Sequence, residues 1–280
     1  MSALPRSRRA VFGLYGGLTL LSLLWIVPVM TALMISLLPV EASRRGWWRF
    51  PLGELTLANY ADAWEAGLSS HVVNSFLITL GAVAVTVATG TLAAYAIARL
   101  RFRGKRAVYF LLVSTMIVPI QIILIPLLPW FQTLGLSEGR LQMVGIVLVH
   151  TAFGAGWAVF MLGTFFADIP GELLDAARVD GAGHFDVFRR IVLPLALPGI
   201  VSFAIIDFVF VWNDLLLALT LLGRDFQPIT VGLANLQSPH LAQQDLVAAG
   251  SIIAILPPVL LFAMLNRYYV RGLFAGGVKG

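Results

Sequence analysis

VVNSFLITLGAVAVTVATGTLAAYAIA, the stretch Val72–Ala98, contains no charged residue, and Arg99, Arg101, Arg103, Lys105 and Arg106 come directly after it. The hydrocarbon core of a bilayer is about 30 Å thick and is crossed by about 20 apolar residues in a helix. The run is therefore read as a membrane span. The cluster of cations marks the end that stays in the cytoplasm, because Lys and Arg are retained on that side. Five other stretches are long and apolar enough to do the same: Phe12–Leu38, Ala107–Phe131, Met143–Phe166, Ala196–Leu222 and Leu246–Met264. Composition agrees. Of 280 residues, 59% are hydrophobic and 12% charged, where a soluble domain carries about 25% charged residues. The expected fold is an all-α integral membrane protein with six transmembrane helices.

Orientation is set by where the cations fall. Arg6, Arg8 and Arg9 precede the first span, five cations come after the second, Arg178, Arg189 and Arg190 after the fourth, and Arg267, Arg271 and Lys279 after the sixth. The opposite side holds only Arg44, Arg45, Arg49, Arg140 and Arg224. Fourteen against five places both termini in the cytoplasm. The apolar run from Val11 to Leu38 is longer than the 7–15 residues of a signal-peptide core, so it reads as an uncleaved span. The net charge of +5 is thus a topology signal, and no nucleic-acid partner is expected. The absence of cysteine excludes disulfides and thiolate metal sites. Pro119, Pro126 and Pro129 predict a kinked third span, tolerated where neighbours satisfy the freed carbonyls.

Two connections exceed what a hairpin needs. Pro39–His71, expected outside, carries Trp47, Trp48, Tyr60 and Trp64, residue types that sit at the headgroup level. Ala167–Leu195, expected inside, has more internal order. Pro170 suits a first helical turn, and Leu173, Leu174 and Ala177 form a stripe at helical spacing. Asp180-Gly181 ends that helix, since glycine accepts the left-handed conformation of a helix end. Phe185, Phe188 and Val192 then line one side of a second amphipathic helix, and Pro194 and Pro198 mark the return to the membrane. Physics alone leaves two readings of this loop, an amphipathic segment on the bilayer surface and a docking element for a cytoplasmic partner.

Asp175-Ala176-Ala177-x-x-Asp180-Gly181-Ala182, followed by Phe188 and Leu193-Pro194-x-x-x-Pro198, resembles the "EAA" loop of ATP-binding-cassette importer permeases, with Asp175 where that family usually has Glu. Asn74-Ser75 at the start of the second span and Ala94-Tyr95 through Lys105 at its end resemble the same permease core. Trp212-Asn213-Asp214 and the ending Arg271-Gly272 through Gly280 resemble the second membrane subunit of carbohydrate importers of the maltose and glycerol-3-phosphate type. The resemblance covers about Leu55 to Gly280.

It implies a chain that is not itself an enzyme. The expected partners are a second permease subunit, two cytoplasmic ATPase subunits that hold ATP and magnesium, an external solute-binding protein, a sugar substrate and membrane lipid, in a bacterial or archaeal cytoplasmic membrane. This chain shows no Gly-x-x-x-x-Gly-Lys-Ser/Thr run for nucleotide phosphates, so no cofactor is expected in it. The resemblance makes the short helix between spans four and five a coupling helix, with Glu172, Asp175, Ala176, Ala177, Asp180, Gly181 and Ala182 against the ATPase. Gly276, Gly277 and Lys279 form an extended, glycine-rich tail contact. The expected division is 1–71 for the first span and external loop, 72–270 for the permease core with its loop at 169–198, and 271–280 for the tail.

Within the membrane, Asp207, Asn213 and Asp214 share the fifth span and Gln121 lies in the third. A central charge costs about 2.5–3.5 kcal/mol on insertion scales, so the carboxylates should avoid lipid. Seven residues apart on a helix, Asp207 and Asp214 would share a face. They line the translocation pathway or pair with neighbouring helices. Gly81, Ala84, Ala88, Gly90 and Ala94 read as a close-packing face. His71, His150, His184 and His240 lack metal-ligand spacing and read as loop or packing residues. Two other functions compete. A six-helix secondary transporter or channel would use Asp207 and Asp214 for ion coupling, and leaves the ordered loop unexplained. An intramembrane enzyme would rest on Gly250-Ser251 alone, with no base or oxyanion hole.

Overall fold

The computed structural model describes residues 8–49, 51–236 and 244–277. Among them every regular element is a helix. In chain order these are α1 (Arg8–Ser36), α2 (Val40–Gly46), α3 (Ala58–Ala63), α4 (Ser69–Arg99), α5 (Lys105–Ser114), α6 (Ile120–Thr133), α7 (Leu141–Asp168), α8 (Gly171–Val179), α9 (His184–Val187), α10 (Leu193–Trp212), α11 (Leu216–Leu221), α12 (Ile229–Leu236) and α13 (Gln244–Gly277). Five helical runs are long and apolar enough to cross a membrane: α1, α4, α7, α9 continued into α10, and α13.

The third expected span is broken, not kinked. α5 stops at Ser114 and α6 starts at Ile120. Ser114 and Thr115 turn their hydroxyls back to the carbonyls of Leu111 and Leu112, each at 2.7 Å. Pro119 has no N–H and pushes the residue before it out of the helical region. The fifth expected span also ends early. α10 stops at Trp212, Asn213 caps it, and Asp214 lies beyond. The apolar stretch after it belongs to the separate helix α11.

The chain divides into two compact units. In the first (the described residues up to Leu68, with Leu233–Ala254), the C-terminal end of α1 is closed by side chains. Asn59 is buried, and its Nδ2 donates to the carbonyls of Ser36 and Leu38, both at 2.9 Å. Tyr60 Oη and Ser36 Oγ share a hydrogen bond of 2.7 Å. Trp48 and Trp64 are exposed, as an interfacial segment requires, whereas Tyr60 is turned inward.

The second unit (Ser69–Gly232, with Ile255 onward) is built on α4 against α7. Ile78, Ala82, Thr86, Gly90 and Ala94, four residues apart, are all buried. A Cβ at Gly90 would stand 2.4 Å from that of Ala158, so only glycine permits this approach. Ala84 and Ala88, expected on the same face, are exposed. The residues meeting α7 keep a spacing of four, which passes through Ala82 and Thr86. At the start of α4, Asn74 Nδ2 donates to the carbonyls of Asp225 (2.9 Å) and Gln227 (3.1 Å). Ser75 Oγ accepts from Ile229 N at 2.8 Å, and His71 Nδ1 lies 2.8 Å from the Gln227 carbonyl. Asn74-Ser75 thus fastens the connection between α11 and α12.

Candidate functional site

The segment between α7 and α10 folds as an elbow. α8 ends in paired reverse hydrogen bonds: Gly181 N donates to the Arg178 carbonyl at 3.0 Å and Ala182 N to the Ala177 carbonyl at 2.9 Å. This Schellman closure needs a left-handed residue, and Gly181 supplies it at φ +85°. α9 then begins, and its chain passes through a π-helical turn, Phe188–Val192, directly into α10. The return is therefore one continuous helix. Pro194 and Pro198 lie within it, and do not mark its boundary. The wide turn explains the tolerance. Leu193 N reaches the Phe188 carbonyl, five residues back, just before the residue that has no N–H to donate.

One side of the elbow is anchored. Leu174, Val187, Phe188 and Val192 are buried together with Tyr95 of α4 and Phe166 of α7. Tyr95 and Phe188 rings lie 4.9 Å apart. Arg99, at the end of α4, donates Nε to the Phe166 carbonyl at 2.7 Å and Nη2 to the Ile169 carbonyl. It satisfies carbonyls that the end of α7 leaves open, and it fixes where the elbow starts. Sequence reading placed Arg99 in the charge count and in the stretch Ala94 through Lys105, and gave it no structural role.

The other side is free. Glu172, Asp175, Ala176, Asp180 and Gly181 are exposed, and Ala177 and Ala182 are half-buried. Leu173 and Phe185 are exposed as well, although their spacing predicted burial, and Val179 is 88% exposed. Asp175 pairs with Arg178 at 2.9 Å. The outcome is a short stiff helix that presents apolar side chains ringed by carboxylates. Val179 and Phe185 are functional candidates that sequence analysis missed.

The intramembrane candidates separate. Asp207, on α10, is buried and lines a cleft with Phe153, Trp157 and Phe210. Asp214 is not on the same helix. Its carboxylate accepts from Leu217 N (3.3 Å) and Ala218 N (3.1 Å) and so caps α11, a favourable place for a negative charge. The shared face of Asp207 and Asp214 is thus a correction, caused by the end of α10 at Trp212. Asn213 and Gln121 are exposed, and Asn213 Nδ2 is turned to the Val209 carbonyl at 2.8 Å. His150 of α7 is buried and its Nε2 lies 3.7 Å from Asp214 Oδ2. A histidine with no motif around it is therefore part of the polar set. No group of metal-ligating side chains occurs among the described residues.

At the other end of the chain, Gly276 and Gly277 are the last residues of α13, so their backbone is helical where an extended strand was expected. Glycine costs a helix about 1 kcal/mol relative to Ala, a small charge on a helix of 34 residues. Lys279 lies outside the described residues.

The model of a family described as "binding-protein-dependent transport system inner membrane component" matches residues 86–274. The osmoprotective compounds uptake permease protein GgtD of Synechocystis sp. is 35% identical over 268 residues, covering 92% of this chain and 89% of GgtD. The alpha-glucoside transport system permease protein AglG of Rhizobium meliloti is 38% identical over 230 residues, covering 80% of this chain and 60% of AglG, so the chain spans less than two thirds of that relative. Among solved structures, a bacterial ABC transporter involved in the import of the acidic polysaccharide alginate shares the fold, with a TM-score of 0.77 at 20% identity over 96% of this chain and 100% of the matched one.

Proposed function

The chain belongs to the family of binding-protein-dependent transport system inner membrane components, and on that premise we propose that it imports a sugar or sugar derivative as one permease subunit of an ATP-driven complex. The observation that carries this reading is the elbow. A floppy connector would need no Schellman closure, no buried Leu174 and Phe188 beneath it, and no arginine holding its first carbonyl. A part that receives force needs all three. Exposed Leu173, Val179 and Phe185 supply apolar contact, and Glu172, Asp175 and Asp180 supply charge for a groove on an ATPase subunit.

In this reading the chain crosses the membrane six times. α5 and α6 together make the third crossing, both ends are cytoplasmic, and the elbow projects to the ATPase side. A second permease subunit completes the pathway, to which Asp207 contributes, and a solute-binding protein delivers substrate from outside. Closure of two ATPase subunits, which hold the nucleotide and magnesium, tilts the elbow and alternates access. The glycines at the end of α13, with Lys279, reach the same subunits. Sugar as the cargo is supported by what the relatives are named for, an alpha-glucoside in one case and alginate in the structural neighbour.

The test is assembly and uptake in the complete system. The tagged chain should retain an ATPase subunit on purification from membranes. A double replacement, Val179→Asp with Phe185→Asp, should remove that subunit while leaving membrane insertion unchanged. Retention of the ATPase by the double variant would refute the assignment of the elbow.

A further inference from the structure

The cleft at Asp207 has a composition that the transport reading alone does not require. Its volume is about 330 Å³, at the small end of the range for small-molecule sites. Four of its lining residues are aromatic, Phe153 and Trp157 from α7 and Phe203 and Phe210 from α10, and four are aliphatic. Its single charged wall is Asp207, of which 6% is exposed. Asp207 Oδ2 has no hydrogen-bond partner, and neither does the buried Thr86 Oγ1. A polar atom buried without a partner costs about 1–3 kcal/mol.

Gly154 brings the groups together. A Cβ there would lie 2.5 Å from Thr86 Cγ2 and 3.1 Å from Asp207 Oδ1. With no side chain at that position, Thr86 of α4 and Asp207 of α10 both come up against the backbone of α7. The occupant that fits must offer apolar faces to aromatic rings and hydrogen-bond donors to a carboxylate. An acyl chain would leave Asp207 unsatisfied, and an anion would be repelled by it. A pyranose ring has both features, with C–H faces and an equator of hydroxyls.

Resting on the sugar-import reading, the geometry points to a glycosyl subsite within this subunit: one sugar ring stacks against the aromatic side chains and donates hydroxyl hydrogen bonds to Asp207 during passage. The size of the cleft limits it to about one ring, so a longer substrate would thread through it.

The experiment uses the complete complex with its binding protein in proteoliposomes. Uptake of tritiated neutral mono-, di- and trisaccharides is recorded together with ATP hydrolysis. A wild-type complex that carries none of them refutes the sugar reading, and the subsite falls with it. Where wild type carries one, Asp207→Asn should lower the ratio of sugar moved to ATP hydrolysed about tenfold. Asp207→Leu should lower it further, since Asn keeps an acceptor oxygen and Leu has none. Trp157→Leu removes a stacking face without touching the carboxylate, and should also lower the ratio. It serves as the deciding variant if the Asp207 variants fail to assemble. A ratio unchanged in Trp157→Leu and Asp207→Asn overturns the subsite while the sugar reading stands. Equal, complete loss in Asp207→Asn and Asp207→Leu indicates a cationic ligand and overturns the glycosyl assignment.

Discussion

Replacing Gly181 with alanine isolates the backbone of the elbow from everything else. A Cβ at this position would meet nothing within 4 Å, so the substitution creates no clash. The remaining cost is conformational: φ is +85°, and an L-residue held in the left-handed region loses about 1–2 kcal/mol. That is a factor of about 5–30 in the ratio of closed to open elbow. When only the closed form docks, apparent affinity falls by the fraction that remains closed. Asparagine enters the left-handed region far more readily than alanine, so Gly181→Asn should lose less. Gly183, two residues on, has φ −70°, and a Cβ there would lie 4.0 Å from the nearest side-chain atom, Asp186 Oδ2. Gly183→Ala is therefore the matched control and should be neutral. The assay is titration of a fluorescent ATPase subunit onto the permease pair in nanodiscs. The expected order of affinity is wild type and Gly183→Ala together, then Gly181→Asn, then Gly181→Ala, weaker by up to about 30-fold. Wild-type affinity in Gly181→Ala, or an equal loss in Gly183→Ala, would refute the argument from the left-handed turn.

Four further outcomes are expected. Arg99→Gln removes charge-assisted hydrogen bonds to the Phe166 and Ile169 carbonyls and should cost about 1.5–3 kcal/mol, read as a lower thermal midpoint of the purified protein and weaker ATPase retention. Gly90→Ala forces a Cβ to 2.4 Å from that of Ala158 and should cost about 1–3 kcal/mol by overpacking, measured the same way, with no change in which sugar is carried. Because the chain has no cysteine, single replacements at Ser43, Ser137 and Ser238 should react with an impermeant thiol reagent from outside and one at Ser7 should not; labelling at Ser7 with protection at Ser238 would invert the topology. Deletion of Ala275–Gly280 should leave a complex that assembles but hydrolyses ATP without responding to the loaded binding protein, and full stimulation would remove this end from the mechanism.

Four of the crossing helices are legible in the sequence because each is a long apolar run, and length and composition suffice for that. The elbow is legible for a similar local reason: Asp180-Gly181 after a helical stripe is a stop signal with a stereochemical cause. The errors arise where the determinant is distant. Phe185 and Phe188 remain neighbours, with ring centroids 6.5 Å apart, but burial here is decided by residues distant in sequence: Phe188 and Val192 pack with Tyr95 of α4 and Phe166 of α7, and Phe185 stays exposed. Nothing in the run Leu215–Leu222 announces a new helix. The break depends on Asp214 accepting the free N–H groups of α11. His150 and Asp214 are separated by 64 positions and meet only because α7 passes the end of α10. The third span lies between these cases. Its prolines announce a disturbance, while the hydroxyls of Ser114 and Thr115 help turn a bend into a break.

The passage of α9 into α10 without a joint has a mechanical corollary. From Phe188 to Asp207 the helix spans nineteen steps, about 28 Å at 1.5 Å per residue, and the two prolines on the way, both beyond the π turn, do not interrupt the helix. On the same rise per residue, a 10° tilt about its elbow end would sweep the carboxylate through about 5 Å, comparable to one helical pitch. Small angular strokes at the base would thus be geared up at the cleft, and the gain would be set by how far along the rod Asp207 sits.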